Sequence, residues 1–290
     1  METNWTNIAE ELNYSVKNYE GLTKQIVQIK NRAQAYGIDP DHEELINGKY
    51  NKAGKMTMQG LKSLKGVAER KIGRVLADFP IWSEWLVNVP GIGNAIGGKL
   101  ISIYYFKSVP ICTKCGADLV AFTCPRCDAT AKGNGVLKFR IALRDFPTIS
   151  SWWHFMGRHT VGGVVPTLKN IKKLKPNPSD EKLVDWSPAG KQLGYAFADS
   201  VNRIKHSKYN QYAEKRKRYR ENTHPKASKG HRHNMAWNET FKLFLSHFWQ
   251  VDHILSGAEM TDPWCVAHGG HDKSSIIEPY YFDSAKDEAA

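Results

Sequence analysis

Along the first third of the chain, apolar residues recur every three or four positions, the period of an amphipathic helix. Leu22, Ile26 and Ile29 set that period within 5–36, and Leu61, Leu64, Val67, Ala68, Ile72 and Leu76 repeat it between Thr57 and Leu76. Gly37-Ile38-Asp39-Pro40 ends the first element, because Pro40 has no amide with which to continue a helix. Asn47-Gly48 and Ala53-Gly54 mark a loop between the two. The pattern predicts an antiparallel helical arm over 1–80, suited to packing or to homo-oligomer formation. Further along, 148–156 is aromatic-rich and predicted helical. Ser187-Pro188 is a helix opening, with Ser at the cap and Pro in the first turn, and that helix runs to about Ile204. Two more helices are predicted over 208–220 and 234–255, completing a helical domain over 148–260. The stretch 157–186, broken by Gly and Pro, reads as a loop or extended arm. The last thirty residues are acidic and turn-rich, a surface tail over 261–290.

Between the arm and these helices lies a compact signal, Leu86-Val-Asn-Val-Pro-Gly-Ile-Gly-Asn-Ala-Ile-Gly-Gly-Lys-Leu-Ile101. It matches a helix-hairpin-helix, placed within a domain spanning 81–147. Gly91 and Gly93 are expected to take the positive φ angles of a tight turn and to let the backbone approach a phosphate. Ile92 should anchor the turn, and Gly97 should bring the two helices close. The amides of Gly93, Asn94 and Ala95 would point outward where a helix starts and its dipole favours an anion. Lys99 is placed to reach a neighbouring phosphate. Such contacts grip the sugar-phosphate backbone without reading bases.

Inserted at 109–135 are Cys112-Thr-Lys-Cys115 and Cys124-Pro-Arg-Cys127, two Cys-x-x-Cys knuckles eight residues apart. Four thiolates at this spacing can surround one zinc ion tetrahedrally, and Gly116 and Pro125 suit the turns. With four protein ligands the site has no open position, so its role is structural and Zn2+ the expected cofactor. The sequence 132–135, Lys-Gly-Asn-Gly, is a turn leading out of the insert. A second set, Cys265, His268 and His271, offers three donors and would need a fourth such as His247 or His253. The expected fold class is therefore mainly α: a helical arm, a helix-hairpin-helix domain with an inserted four-cysteine module, and a C-terminal helical bundle.

Charge sharpens the functional reading. The chain carries a formal net charge of +12, and 167–233 alone holds 17 basic and 6 acidic side chains, whereas 234–290 holds 3 basic and 9 acidic. The excess is concentrated as a polyanion-binding face requires. Lys215, Arg216, Lys217, Arg218 and Arg220 close one helix, and Lys229 and Arg232 follow; with Lys169, Lys172, Lys173 and Lys175 they can line a phosphate track. Tyr209, Tyr212 and Tyr219 are interleaved and would stack on unpaired bases where exposed. Trp152, Trp153, Phe241, Phe244 and Trp249 are assigned to the core. No apolar run is long enough for a bilayer span, and residues 1–20 lack the pattern of a secretory signal. An intracellular protein, in the cytoplasm or nucleoid and without a membrane partner, is expected.

Taken in order, the hairpin, Arg144-Asp-Phe-Pro-Thr-Ile-Ser-Ser-Trp-Trp-His-Phe-Met-Gly157, Gly190-Lys-Gln-Leu-Gly-Tyr-Ala-Phe-Ala198, Tyr209-Asn-Gln-Tyr212 and the helix Asn238–Trp249 carry a resemblance. Over roughly residues 20–255 the chain resembles the carboxy-terminal half of the DEDD-type insertion-sequence transposases, the family that includes the Piv invertases. The resemblance implies a helical arm, a helix-hairpin-helix and action on DNA. The family's RNase H-like domain, with its four metal-binding carboxylates, has no counterpart in the roughly twenty residues before the resemblance begins. The loop that bears the family's serine reads Arg158-His-Thr-Val-Gly-Gly-Val-Val-Pro-Thr167, with Thr160 and Thr167 but no serine. The cysteine insert is extra. Resemblance and departures together imply a non-catalytic nucleic-acid-binding protein of a mobile element or virus, with DNA favoured over RNA. The alternatives are a recombinase component that borrows a partner's catalytic residues, and an RNA-binding scaffold.

Overall fold

The computed structural model describes residues 2–39, 44–119, 123–127, 138–159 and 186–282. It is mainly helical with two small antiparallel ribbons. By density of internal packing the chain forms two compact units, one of 1–76 with 101–145 and one of 77–100 with 146–290. The division passes through a helix, α5 (Asn94–Tyr105). Sequence reasoning groups the hairpin with the cysteine insert over 81–147. The packing instead places the hairpin with the carboxy-terminal helices and the insert with the arm.

In the first unit, α1 (Glu2–Ala35) and α3 (Leu61–Leu76) pair antiparallel: Lys71 lies against Glu11 and over Tyr14, whereas Lys65 lies over Tyr19. The buried stripe is made of Ala9, Leu12, Val16 and Ala33 on α1 and Ala68, Ile72, Val75 and Leu76 on α3. Leu64 and Val67, which fit the helical period equally well, are exposed. They border the buried stripe, Leu64 one turn before Ala68, a distinction that periodicity over one helix resolves poorly. The loop between the helices is more ordered than Asn-Gly and Ala-Gly suggest. It contains α2 (Glu44–Asn47) and a ribbon of β1 (Lys49–Tyr50) and β2 (Met56–Met58), and α3 therefore starts at Leu61 rather than Thr57. Gly48 has φ +89°, and Gly60 lies so close to it that a Cβ would meet the Gly48 amide at 2.2 Å. After α5, β3 (Phe106–Ile111) and β4 (Lys138–Leu143) pair in register from Phe106–Leu143 to Ile111–Lys138, and the cysteine insert lies between them.

The second unit packs around aromatic rings. Trp85, Trp152, Phe197, Tyr209, Phe241, Phe244, Phe248 and Trp249 are all buried, with Trp85 and Phe244 stacked at 5.7 Å. Fully buried indole N–H groups need acceptors. Trp85 donates to the Tyr280 carbonyl at 2.7 Å and Trp249 to the Phe146 carbonyl at 2.8 Å. The helices are α4 (Pro80–Glu84), α6 (Ile149–Phe155), α7 (Pro188–Asn202), α8 (Lys208–Thr223), α9 (Lys229–Ser256) and α10 (Trp264–Ala267). Their starts are locally encoded. Thr148, Ser187, Ser207 and Ser228 each accept a hydrogen bond from the amide three residues on, satisfying a donor that the first turn cannot. The Ser228 cap starts α9 five residues before the predicted Asn234. Gly257, at φ +66°, ends it in the left-handed conformation. The carboxy-terminal segment is no simple surface tail. Ile277 accepts from buried His247, and the Tyr281 hydroxyl accepts from the Lys208 amide at the start of α8.

Candidate functional site

Two arrangements carry chemistry. The first is the cysteine cluster. Cys112 and Cys124 are buried, and Cys115 and Cys127 half-buried. Their sulfurs lie at 3.6 Å (Cys112–Cys127), 3.4 Å (Cys115–Cys124) and 3.7 Å (Cys115–Cys127), and all four are within 4.8 Å of one another. Disulfide sulfurs would be about 2 Å apart. The edges of a tetrahedron with metal–sulfur bonds of about 2.3 Å are about 3.8 Å, which these separations approach. The four cysteines therefore can hold one metal ion. The backbone prepares the position. Cys112 donates its amide to the Ala117 carbonyl and accepts from the Gly116 amide, both at 2.8 Å, with Gly116 at φ +74°. Amides of Cys115 and Lys114 hold the Cys112 thiol down to about 6. Burial pushes the Cys124 thiol up, but amides of Arg126 and Cys127 and the Cys115 thiol outweigh it, and the net shift is downward. Both shifts favour the thiolate that a metal requires. Asp118 and Arg140 tie the knuckle to β4 through bonds of 2.8 and 2.6 Å. Lys114 and Arg126 are exposed at the tips.

The second arrangement is the hairpin between the short 3-10 turn Leu86–Asn88 and α5. Gly91 has φ +94°, Ile92 is buried, and Gly93 is exposed immediately before α5 begins at Asn94. Gly93 does not take a positive φ, contrary to the sequence expectation, and a Cβ there would meet nothing within 4 Å. The left-handed residue Gly91 alone turns the chain, and Gly93 already follows the path into the helix. Gly91 is confined on its other side: its carbonyl accepts from Ser200 at 2.6 Å, and a Cβ would meet Val201 at 3.1 Å. Gly97 allows the close approach expected of it, since a Cβ would sit 2.3 Å from the Trp82 ring. Asn94, Ala95 and Lys99 are half-buried.

The basic segment divides into two populations. Arg216 and Arg220 both bind the Glu239 carboxylate on α9 and flank the Tyr219 ring, and Lys217 pairs with Glu214 at 2.5 Å and lies over Trp237. Arg232 donates to the carbonyls of Pro225 and Ala227. These four side chains brace α8 and α9 and are not a free cationic face. Lys215, Arg218 and Lys229 are exposed and make no ion pair among the described residues. Lys169, Lys172, Lys173 and Lys175, with Thr160 and Thr167, lie outside the described residues. Of the three tyrosines, Tyr219 is 47% exposed, Tyr212 half-buried, and Tyr209 fully buried with its hydroxyl 2.7 Å from His247 Nδ1. Tyr209 is thus a core residue and no stacking platform.

Sequence reasoning offers His247 or His253 as a fourth donor for Cys265, His268 and His271. Both are occupied in the core: the Ile277 carbonyl lies 3.0 Å from His247 Nε2, and the Trp249 carbonyl 2.9 Å from His253 Nδ1. Burial pushes His247 down to about 4, so it is neutral. Among the described residues, the four cysteines are the one group of clustered metal-ligating side chains, and no helix is long and apolar enough to cross a membrane. A residue the sequence pattern does not single out is Arg158, half-buried beside α7 and α9. Comparison with known protein families, curated proteins and solved structures finds no match for this chain.

Proposed function

We propose that the protein binds nucleic acid, DNA in preference to RNA, by gripping the phosphate backbone, and that its cysteine cluster holds a structural zinc ion. The observation that carries the reading is the hairpin: Gly91 in the left-handed conformation, Ile92 anchored, and exposed Gly93 leading into the amino terminus of α5. Backbone amides presented in this way suit an anion, and a residue without a Cβ admits it closely. Lys215, Arg218 and Lys229 add exposed positive charge on a chain of net charge +12. Tyr219, 47% exposed beside the Arg216 and Arg220 guanidinium groups, is suited to stacking on an unpaired base. Four thiolates as the whole donor set favour zinc among common cellular metals. A binding role derived from a transposase-like scaffold accords with the order of motifs along the chain. Exposed Leu64 and Val67 support self-association as the role of the arm.

The test is competition among duplex DNA, single strands and structured RNA at fixed salt, with elemental analysis of the purified protein. Duplex DNA should compete best, with one zinc per chain. Equal indifference to all three polymers would remove the nucleic-acid reading. Magnesium-dependent nicking of a supercoiled plasmid, lost on changing one acidic residue, would replace it with an enzyme.

A further inference from the structure

Arg158 follows Gly157, whose φ of +66° turns the chain out of α6, and its amide donates to the Trp153 carbonyl at 2.8 Å. Its side chain runs between α7 and α9. The guanidinium lies 4.7 Å over the Phe241 ring, and Nη2 donates to the Lys191 carbonyl at 3.1 Å. Nη1 donates to the Asn238 side-chain oxygen, and Nε is enclosed without an acceptor. The seat is shaped for this group: a Cβ on Gly194 would lie 1.8 Å from Nη2.

All these partners are neutral. Desolvation draws Arg158 down to about 10, and among the described residues the one ionisable group acting in its favour is the Tyr195 phenol. It remains a cation at neutral pH. Lys191 is drawn down too, by burial and then by the Arg158 charge. A partly buried cation is ordinarily paired with an acid. Among the described residues, the adjoining groove of about 280 Å³ is lined by Tyr195, Asn202, His233, Asn234, Asn238 and Asp199, and the carboxylate of Asp199 is engaged by Arg203 at 2.7 Å.

We propose that this groove is a phosphate-binding site, with Arg158 as the charged partner and Asn238 as the group that orients it. A planar guanidinium with N–H groups left over after two bonds matches phosphate oxygens, and the amide side chains supply further donors. Under the nucleic-acid reading the phosphate belongs to a bound strand, and this part of the inference rests on that reading. The site itself does not, because inorganic phosphate or a mononucleotide offers the same chemistry.

The experiment uses the full chain and two variants, Arg158→Gln and Asn238→Asp. The second places a carboxylate beside the guanidinium and leaves the exposed Asn238 position otherwise nearly unchanged in shape. Thermal unfolding is followed while chloride is replaced by inorganic phosphate at constant ionic strength, then with a nucleoside monophosphate. Phosphate stabilises many proteins generally, so the readout is the difference between wild type and variants. Phosphate at about ten times its dissociation constant should raise the wild-type Tm by about 3 °C more than it raises that of either variant. Asn238→Asp should itself melt higher than wild type in chloride. In a parallel titration the variants should bind a DNA oligonucleotide more weakly, with the slope of log affinity against log salt reduced by about one unit. Loss of the phosphate effect together with weaker oligonucleotide binding establishes a strand phosphate. Loss of the phosphate effect with oligonucleotide binding unchanged or absent establishes the site for the small anion alone, whatever becomes of the nucleic-acid reading. An equal phosphate effect in wild type and Asn238→Asp overturns the proposal, even if DNA binds tightly.

Discussion

Gly91, Gly93 and Gly97 lie within seven residues of one another, and their surroundings predict three different responses to a methyl group. Gly91→Ala forces a Cβ onto a φ of +94° and towards Val201 at 3.1 Å, and should cost about 2 kcal/mol. Gly97→Ala drives a Cβ into the Trp82 ring, and should cost about 2–3 kcal/mol. Gly93→Ala has open space and an ordinary φ, so chemical denaturation should show a change of about 1 kcal/mol or less. If Gly93 matters for backbone approach to phosphate, that variant should still lose affinity while keeping its stability. A Gly93 variant that unfolds as readily as the Gly97 variant would remove this separation of fold from binding. The motif was legible as a turn from its spacing, but which glycine bears the positive φ depends on where the helix begins. His247 supplies a second test at this scale. Unfolded, a histidine titrates near 6.5; folded, His247 is held down to about 4, because burial disfavours the cation. As pH falls between those values the unfolded chain takes up the proton first, so stability should decline by about 3 kcal/mol across that window and level off below it. His247→Gln should abolish that share of the pH dependence, and an unchanged profile would show that the titrating group lies elsewhere.

Helix starts were legible at Ser187 and Ser207, because a cap is a local chemical event, whereas the Ser228 cap, followed by a polar turn before the apolar pattern, was not. The ribbon that bears the cysteines was missed, although Phe106, Ser108 and Pro110 alternate with Lys107, Val109 and Ile111 across a six-residue strand. Neither strand has a buried face along its whole length to give a clean period of two, and the exposure of Phe139 and Leu143 blurs it further. Ribbon and cysteine cluster are joined structurally: Cys112 follows β3 directly, and Arg140 on β4 reaches back to Asp118. Two strands alone are marginal in water. Removing the metal with a chelator, or changing Cys124 to Ser, should therefore destabilise this ribbon first. Amide hydrogen exchange should rise across 106–119 and 138–143, while the buried indoles of the second unit keep their near-ultraviolet signature. Protection of the ribbon that is unaffected by metal removal would show that the four thiols pack without any ion.

For the molecule as a whole, charge was visible in the sequence but its availability was not, because a formal charge does not reveal which cations are committed to internal carboxylates. Glu239, on the otherwise acid-leaning carboxy-terminal stretch, engages Arg216 and Arg220 at once. The division of the chain was equally hidden, since it passes through α5 and joins segments distant in sequence. The consequence is a contrast between two sets of substitutions in the same basic run. Replacing Lys215, Arg218 and Lys229 with Gln removes three exposed cations that make no ion pair among the described residues. If all three hold phosphates, the slope of log affinity against log salt should flatten by about 2.7 units for duplex DNA, equally for every sequence tested, with stability almost unchanged. Replacing Arg216 and Arg220 leaves Glu239 without its partners. Those changes should cost about 2 kcal/mol or more of stability, and should alter the salt slope little once folding is accounted for. Filter binding across a salt series, with denaturation of the same samples, separates the two. Loss of affinity confined to the Arg216 and Arg220 variants, with their folding intact, would mean that the strand displaces Glu239 and binds the guanidinium groups the fold holds together.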